Sequence, residues 1–267
     1  MQPVIEVKDL VHIYPSGVKA LKGINIAVNQ GDILGIIGQN GSGKTTLVRH
    51  FNGLLKPTEG KVLLNGQDTA KLKVGDMSQH VGYVFQNPSH QIFRSTVREE
   101  LMVAPKNFRF TEQQKEEGFE RVVKLFELDN ILNVHPMTLD YTTKKLVTIA
   151  SVVIFSPEVL ILDEPTGGLD EPGRRLLTHV IELMKEQKLT TIIISHDMDY
   201  VAENTNRIIT MAQGQVLKDA DPYETFCDDE VLKQAWIEPP QIAQIDRALD
   251  PKGRCVLDVS DFVRKYG

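Results

Sequence analysis

The sequence predicts an α/β fold built on a parallel sheet, and three observations predict it. Short apolar runs at residues 33–37, 159–162 and 191–195 have the length and composition of strands buried on both faces. A helical pattern over residues 174–186 separates the last two, and strands that alternate with helices pair in parallel. The first run also feeds directly into a glycine-rich loop and a helix, a strand–turn–helix unit of that same class.

The elements follow in order along the chain. Ile24, Ile26 and Val28 alternate with Asn25 and Ala27, the period of a half-buried strand. Gly31-Asp32 turns the chain into the buried run 33–37. Val62-Leu63-Leu64 ends in Asn65-Gly66, a tight-turn signal. Residues 81–85 read as a further strand. Thr111-Glu112-Gln113-Gln114 has the form of a capping box, with Phe119, Val122, Val123 and Phe126 following at helical spacing. Residues 90–155 therefore read as a mostly helical insert. After residue 220 an amphipathic tail, broken at Pro239-Pro240, reads as a small C-terminal appendage, which sets provisional bounds of 1–220 and 221–267.

The chain has 267 residues, 41% hydrophobic and 25% charged, enough for one large domain with a sizeable core. A net charge of -6 speaks against a nucleic-acid partner bound by phosphate neutralisation, and weakly against adhesion to an anionic membrane. Cys227 and Cys255 lack metal-ligand spacing and read as reduced thiols. The apolar runs are far shorter than the ~20 residues that span a bilayer. Met1-Gln2-Pro3-Val4-Ile5-Glu6 lacks the basic start of a signal peptide, so a cytoplasmic location is expected.

Two motifs carry the chemistry. Gly38-Gln39-Asn40-Gly41-Ser42-Gly43-Lys44-Thr45 fits the G-x-x-x-x-G-K-[ST] phosphate loop at every fixed position. Its glycines let backbone N–H groups turn toward phosphate oxygens where a Cβ would block the approach. The helix that starts near Lys44 adds its positive end. Lys44 is placed to reach the β- and γ-phosphates, and Thr45 to coordinate Mg²⁺. Downstream, the strand 159–162 delivers Asp163-Glu164 at its carboxyl end, where α/β sheets bind ligands. Asp163 suits Mg²⁺, and Glu164 suits a general base that polarises the attacking water. Alone, the acidic pair is equally a solvated turn; its position after a phosphate loop favours the functional reading.

With these residues in hand, the chain resembles the nucleotide-binding subunit of an ABC (ATP-binding cassette) transporter over about residues 4–220. The resemblance implies a P-loop NTPase core with an N-terminal antiparallel β-subdomain and a helical subdomain. It implies that Tyr14 stacks on adenine and that the loop 38–46, Thr46 included, holds ATP. Gln86 would touch Mg²⁺ and the attacking water, and relay to the membrane subunit. Asp170, in Gly167-Gly168-Leu169-Asp170, resembles the family's D-loop. His196, in Ile194-Ser195-His196-Asp197, resembles the switch histidine at the γ-phosphate. Singly, Tyr14, Gln86 and His196 are each as readily a core or surface residue; their joint order carries the resemblance.

Two stretches narrow it to energy-coupling-factor and cobalt-import ATPases. They are Phe85-Gln86-Asn87-Pro88-Ser89-His90-Gln91-Ile92-Phe93, and the tail carrying Asp221-Pro222-Tyr223-Glu224-Thr225-Phe226 and Pro239-Pro240-Gln241-Ile242-Ala243. In that group the tail helps two ATPase subunits to pair. A membrane-spanning partner, a place on the cytoplasmic face of the membrane and import of a vitamin or metal ion are also implied.

One motif departs. The family's Leu-Ser-Gly-Gly-Gln signature, which caps the γ-phosphate held by the opposite subunit, is replaced here by Leu139-Asp140-Tyr141-Thr142-Thr143. Asp140 would turn a carboxylate toward a polyanion. Two unit charges ~4 Å apart repel by roughly 1 kcal/mol in water and about 4 kcal/mol at an intermediate dielectric. Tyr141 and Thr142 add Cβ atoms where bare backbone belongs, and Lys144 and Lys145 offset part of the charge. Either the signature has drifted and Asp140 caps a helix that still offers amides, or the chain is one half of an asymmetric heterodimer with one weak site. The second is the expectation. A hydrolytically weak regulatory cassette, a soluble non-transport ABC ATPase and a P-loop kinase are the rivals.

Overall fold

The computed structural model describes residues 3–108, 110–251 and 255–267. Met1 and Gln2 of the N-terminal reading, residue 109 of the helical stretch and residues 252–254 of the tail lie outside the described residues.

The chain opens with β1 (Ile5–Ile13) and β2 (Lys19–Val28), paired antiparallel with Ile5 opposite Val28 and Val7 opposite Ile26. The alternation buries Ile24, Ile26 and Val28 on one face. Next, β3 (Ile33–Ile37), buried at every position, feeds α1 (Lys44–Phe51). Then β4 (Glu59–Leu64) and β5 (Gln67–Asp68) turn on Asn65 and Gly66, whose φ of 50° and 78° suit a tight hairpin. These strands form a sheet in the order β2-β1-β4-β5.

After α2 (Val74–Met77) and β6 (Val81–Val84), the chain becomes helical: α3 (Val97–Leu101), α4 (Val103–Asn107), α5 (Glu112–Leu125) and α6 (Tyr141–Val153). At the start of α5 the Thr111 hydroxyl accepts from the Gln114 N–H, and the Gln114 side chain accepts from the Thr111 N–H. Both orphan donors are thereby satisfied, as a capping box requires. Strands then return with β7 (Val159–Asp163), α7 (Glu171–Glu186), β8 (Thr190–Ile194), α8 (Met198–Asn204), β9 (Arg207–Ala212) and β10 (Gln215–Ala220). The tail forms α9 (Pro222–Phe226), α10 (Asp229–Ala235), α11 (Gln241–Leu249) and α12 (Val259–Tyr266). No helix among the described residues is long and apolar enough to cross a membrane.

The second sheet has the order β10-β9-β3-β8-β7-β6, parallel from β9 to β6, with β10 antiparallel at the edge. Its central strands alternate between two cores. Ile161 and Ile192 pack with Leu34 and Phe51 on the side of the antiparallel sheet. Leu160, Leu162 and Ile193 pack with Val147 and Leu177 on the other. Burial on both faces explains why these strands read as unbroken apolar runs. The same order matters for function. It sets β3, β8 and β7 side by side, so the loops leaving their carboxyl ends converge on one edge.

Candidate active site

Three neighbouring strands and β6 deliver the site. The glycine-rich loop leaves β3, Ser195-His196 leaves β8, Asp163-Glu164 ends β7, and Gln86 follows β6. Together with Tyr14 from the end of β1, they line one cleft of about 600 Å³. Asn40, Gly41, Gly43, Lys44, Thr45, Thr46, Gln86, Asp163, Glu164 and His196 all face it. Gly38, Gln39 and Ser42 do not line it. Ser42 Oγ is buried with no hydrogen-bond partner in the protein, a polar atom held ready at the cradle.

Two loop glycines are fixed by packing as well as by ligand access. A Cβ on Gly38 would sit 2.2 Å from the Met211 carbonyl oxygen. One on Gly43, whose φ is 106°, would sit 2.9 Å from the Ala20 carbonyl oxygen. The loop is thus pressed onto β9 and β2, and only glycine fits the conformation at Gly43. The C-terminal tail braces it too: the Gln39 N–H donates to the Ala235 carbonyl of α10 at 3.2 Å.

Lys44 is buried, and its ammonium donates to the carbonyls of Gly38 (2.6 Å) and Gln39 (3.0 Å). Burial lowers its pKa, while Glu164 and Asp163 oppose the shift. The Tyr14 hydroxyl shares a hydrogen bond of 3.0 Å with Thr46 Oγ1, tying the tyrosine to the loop helix. Behind them, His50 Nδ1 pairs with the Thr46 carbonyl at 2.8 Å, and His50 Nε2 meets His12 Nδ1 at 3.2 Å. The first bond makes Nδ1 the donor. Burial pushes the His50 pKa down to about 4, which keeps the ring neutral and leaves Nε2 to accept.

The acidic pair is built in two ways. Asp163 is buried and accepts from the Tyr83 hydroxyl at 2.7 Å. Burial raises its carboxyl, and the Tyr83 bond, Arg49, Lys44 and Lys145 draw it back. Glu164 stands at φ 49°, a left-handed conformation unusual for a residue with a Cβ. Its N–H donates to the Ile194 carbonyl at 2.8 Å. One carboxylate oxygen lies 3.4 Å from His196 Nε2, and the other accepts from the His196 N–H at 3.3 Å. Burial raises the Glu164 carboxyl and the His196 ring restrains it. A carboxylate of raised pKa is the stronger base. Thr45, Asp163 and Gln86 offer oxygen donors only, the set that Mg²⁺ takes beside phosphate.

Other expected site residues lie elsewhere. Asp170 caps α7, accepting from the Gly173 N–H at 2.9 Å. Leu139, Asp140, Tyr141, Thr142 and Thr143 are outside the cleft lining. Asp140 caps α6 through the Thr143 N–H at 3.0 Å and also accepts from the Thr143 hydroxyl, bonds that hold its carboxyl below the usual range. Leu139 packs against the core around α6. Tyr83 and Arg49 have no place in the sequence reading, because nothing local marks a strand tyrosine or a helix arginine as facing an acid far along the chain. Lys145, expected to offset the Asp140 charge, instead donates to the carbonyls of Glu164 and Gly167. The two cysteines are free but not unrelated. They share a cavity of about 360 Å³ with Arg247, and the Cys227 thiol draws Cys255 down to about 7.

Comparison with known proteins places this geometry. Residues 21–167 match the ABC transporter family. The energy-coupling factor transporter ATP-binding protein EcfA of Methanocaldococcus jannaschii is 36% identical over 93% of this chain and 90% of its own length. EcfA2 of Clostridium tetani is 35% identical with the same coverage. An ABC transporter ATP-binding protein of Caldanaerobacter subterraneus is 35% identical, but the chain spans only 45% of its length. Among solved structures, cbiO1 of Clostridium perfringens, part of the ABC transporter complex cbiONQ, superposes with a TM-score of 0.77 at 30% identity. That match covers 94% of this chain and 100% of the other.

Proposed function

The chain belongs to the ABC transporter ATP-binding family, and from that premise we propose that it is the hydrolytically competent half of an asymmetric ATPase pair driving an energy-coupling-factor type importer. The imported solute would be small, a vitamin or a metal ion, and a separate membrane-spanning subunit would select it. One observation carries the reading. A complete phosphate cradle, two acids and a histidine share one cleft, while the signature segment offers a capping carboxylate and two bulky side chains.

The residues divide the work. Lys44 and the amides of the loop 38–46 bind the β- and γ-phosphates, with α1 supplying its positive end. Tyr14 borders the cleft where a base would stack. Thr45, Asp163 and Gln86 would hold Mg²⁺, which when bound supplies neutralisation of charge on the phosphates. Glu164 orients and polarises the water, and His196 holds the Glu164 carboxylate while reaching the γ-phosphate. Little covalent help is needed, because phosphoryl transfer to water runs on positioning and electrostatics. The partner subunit's signature would close this cleft, and the chain's own altered signature would leave the opposite site weak. Exposed Ile245 and Leu249 on α11, with Val259 and Val263 on α12, support a role for the tail in pairing. ATP-driven closure of the pair would pass to the membrane subunit through the Gln86 region.

The reading is tested by Mg²⁺-dependent ATP hydrolysis with this chain alone and with its paired ATPase subunit. Turnover that needs the second subunit supports it; equal turnover by the chain alone makes a homodimer the simpler account.

A further inference from the structure

In the first turns of α6, Lys145 lies four residues after Tyr141 and three after Thr142, so its side chain neighbours both on the helix surface. All three side chains turn onto the chain's own loop between β7 and α7. The Thr142 hydroxyl donates to the Gly168 carbonyl at 3.0 Å. The Tyr141 ring lies against Gly168 so closely that a Cβ there would sit 2.4 Å from its Cε1. The Tyr141 hydroxyl reaches the Gln86 carbonyl at 3.4 Å. One turn on, Lys145 is fully buried, and its ammonium donates to the carbonyls of Glu164 (2.5 Å) and Gly167 (2.9 Å).

A buried ammonium is costly unless its hydrogens are met. Here they are met by main-chain carbonyls of the loop that carries the proposed general base. Burial draws Lys145 down to about 8, while Glu164 and Asp163 act to keep it charged. Glu164 holds its left-handed backbone between two anchors. Its N–H is tied to Ile194 on β8, and its carbonyl to Lys145 on α6. Such a conformation persists only where the surroundings over-determine it.

We propose that the altered signature and Lys145 just beyond it form an intrachain clamp, in which Tyr141, Thr142 and Lys145 fix the loop 164–168 and Lys145 acts as a positioning residue for the Glu164 carboxylate. The inference rests on the ATPase reading above. It gives the substituted side chains a place: they face this chain's own catalytic loop.

Lys145→Met keeps the length of the side chain and removes the donor. In the paired ATPase, kcat should fall about tenfold with KM for ATP within about twofold, the pattern of lost positioning rather than lost binding. Amide hydrogen exchange across residues 165–169 should rise about tenfold, the scale of one lost charged hydrogen bond. Exchange within α6 should stay unchanged. Thr142→Val, half-buried, near-isosteric and unable to donate to Gly168, should raise exchange at residues 168–169. Unchanged exchange in both variants overturns the clamp, as does a rise spread along α6, which would mean packing only. Local loosening with kcat intact overturns the positioning role. No turnover by the unmodified pair would sink the ATPase reading instead, with exchange still reporting on the clamp.

Discussion

Tyr83→Phe removes one oxygen from the molecule and tests how Asp163 is held. Tyr83 lies in β6, buried, and its hydroxyl donates to Asp163 Oδ2 at 2.7 Å. Burial and the adjacent carboxylate push the phenol well above its usual pKa, so it remains a donor at every working pH. Phenylalanine fills the same space without that donor. A buried hydrogen bond to a charged partner contributes about 1.5–3 kcal/mol, because the acceptor left behind carries its desolvation cost. At about 2–4 °C per kcal/mol for a chain of this size, the melting temperature should fall by roughly 3–12 °C. The orphaned Asp163 carboxyl, already raised by burial, should rise further. More Mg²⁺ should then be needed for half-maximal ATP-induced thermal stabilisation, the more so as the pH is lowered. The assay is a thermal melt with and without ATP over a Mg²⁺ titration. A melting temperature and Mg²⁺ midpoint both equal to the unmodified protein's would refute the argument that Tyr83 holds Asp163.

The buried His12–His50 pair makes the fold acid-sensitive. His50 titrates near 4 when folded against 6.5 unfolded, so its stabilising contribution is complete above pH 6.5 and is lost as pH falls toward 4. The loss amounts to about 3 kcal/mol. Urea unfolding of His50→Gln should show a shallower decline over that window, and parallel pH profiles would count against the assignment. Rebuilding the signature with Asp140→Ser, Tyr141→Gly and Thr142→Gly together should raise hydrolysis at the weak site of the pair. An unchanged single-turnover amplitude would argue that the segment does not limit that site.

What was legible in the sequence were features whose cause is local or periodic. The loop 38–45 follows its strand because glycines and Lys44 must sit together in sequence to surround a phosphate. The capping box at Thr111 and Gln114 is a three-residue relation, and it appears as read. The buried strands β3, β7 and β8 announced themselves by apolar runs, since both faces meet core. What was not legible depends on distant partners. Tyr83 and Asp163 are eighty residues apart and meet only because β6 and β7 pair in parallel. Lys145 reads as a cation offsetting Asp140 until the loop carrying Glu164 is laid over it. The left-handed backbone of Glu164 has no glycine or asparagine to signal it. The phosphate-loop glycines were read for the ligand, whereas Gly38 is also excluded from having a side chain by the Met211 carbonyl. Nothing local marks Cys227 and Cys255 as neighbours; they share a cavity with Arg247 of α11, which donates to the Phe226 carbonyl at the end of α9.

In the proposed pair, this chain's own cleft is the one that hydrolyses ATP. The most direct test is steady-state turnover of the ATPase pair with Glu164→Gln in this chain, set beside the equivalent carboxylate substitution in the partner subunit. Removing a general base costs about 10²–10⁴-fold. The account predicts a loss of at least about a hundredfold from Glu164→Gln, with ATP binding retained, and most of the activity surviving the substitution in the partner. Equal losses from the two, or a loss confined to the partner's substitution, would contradict it.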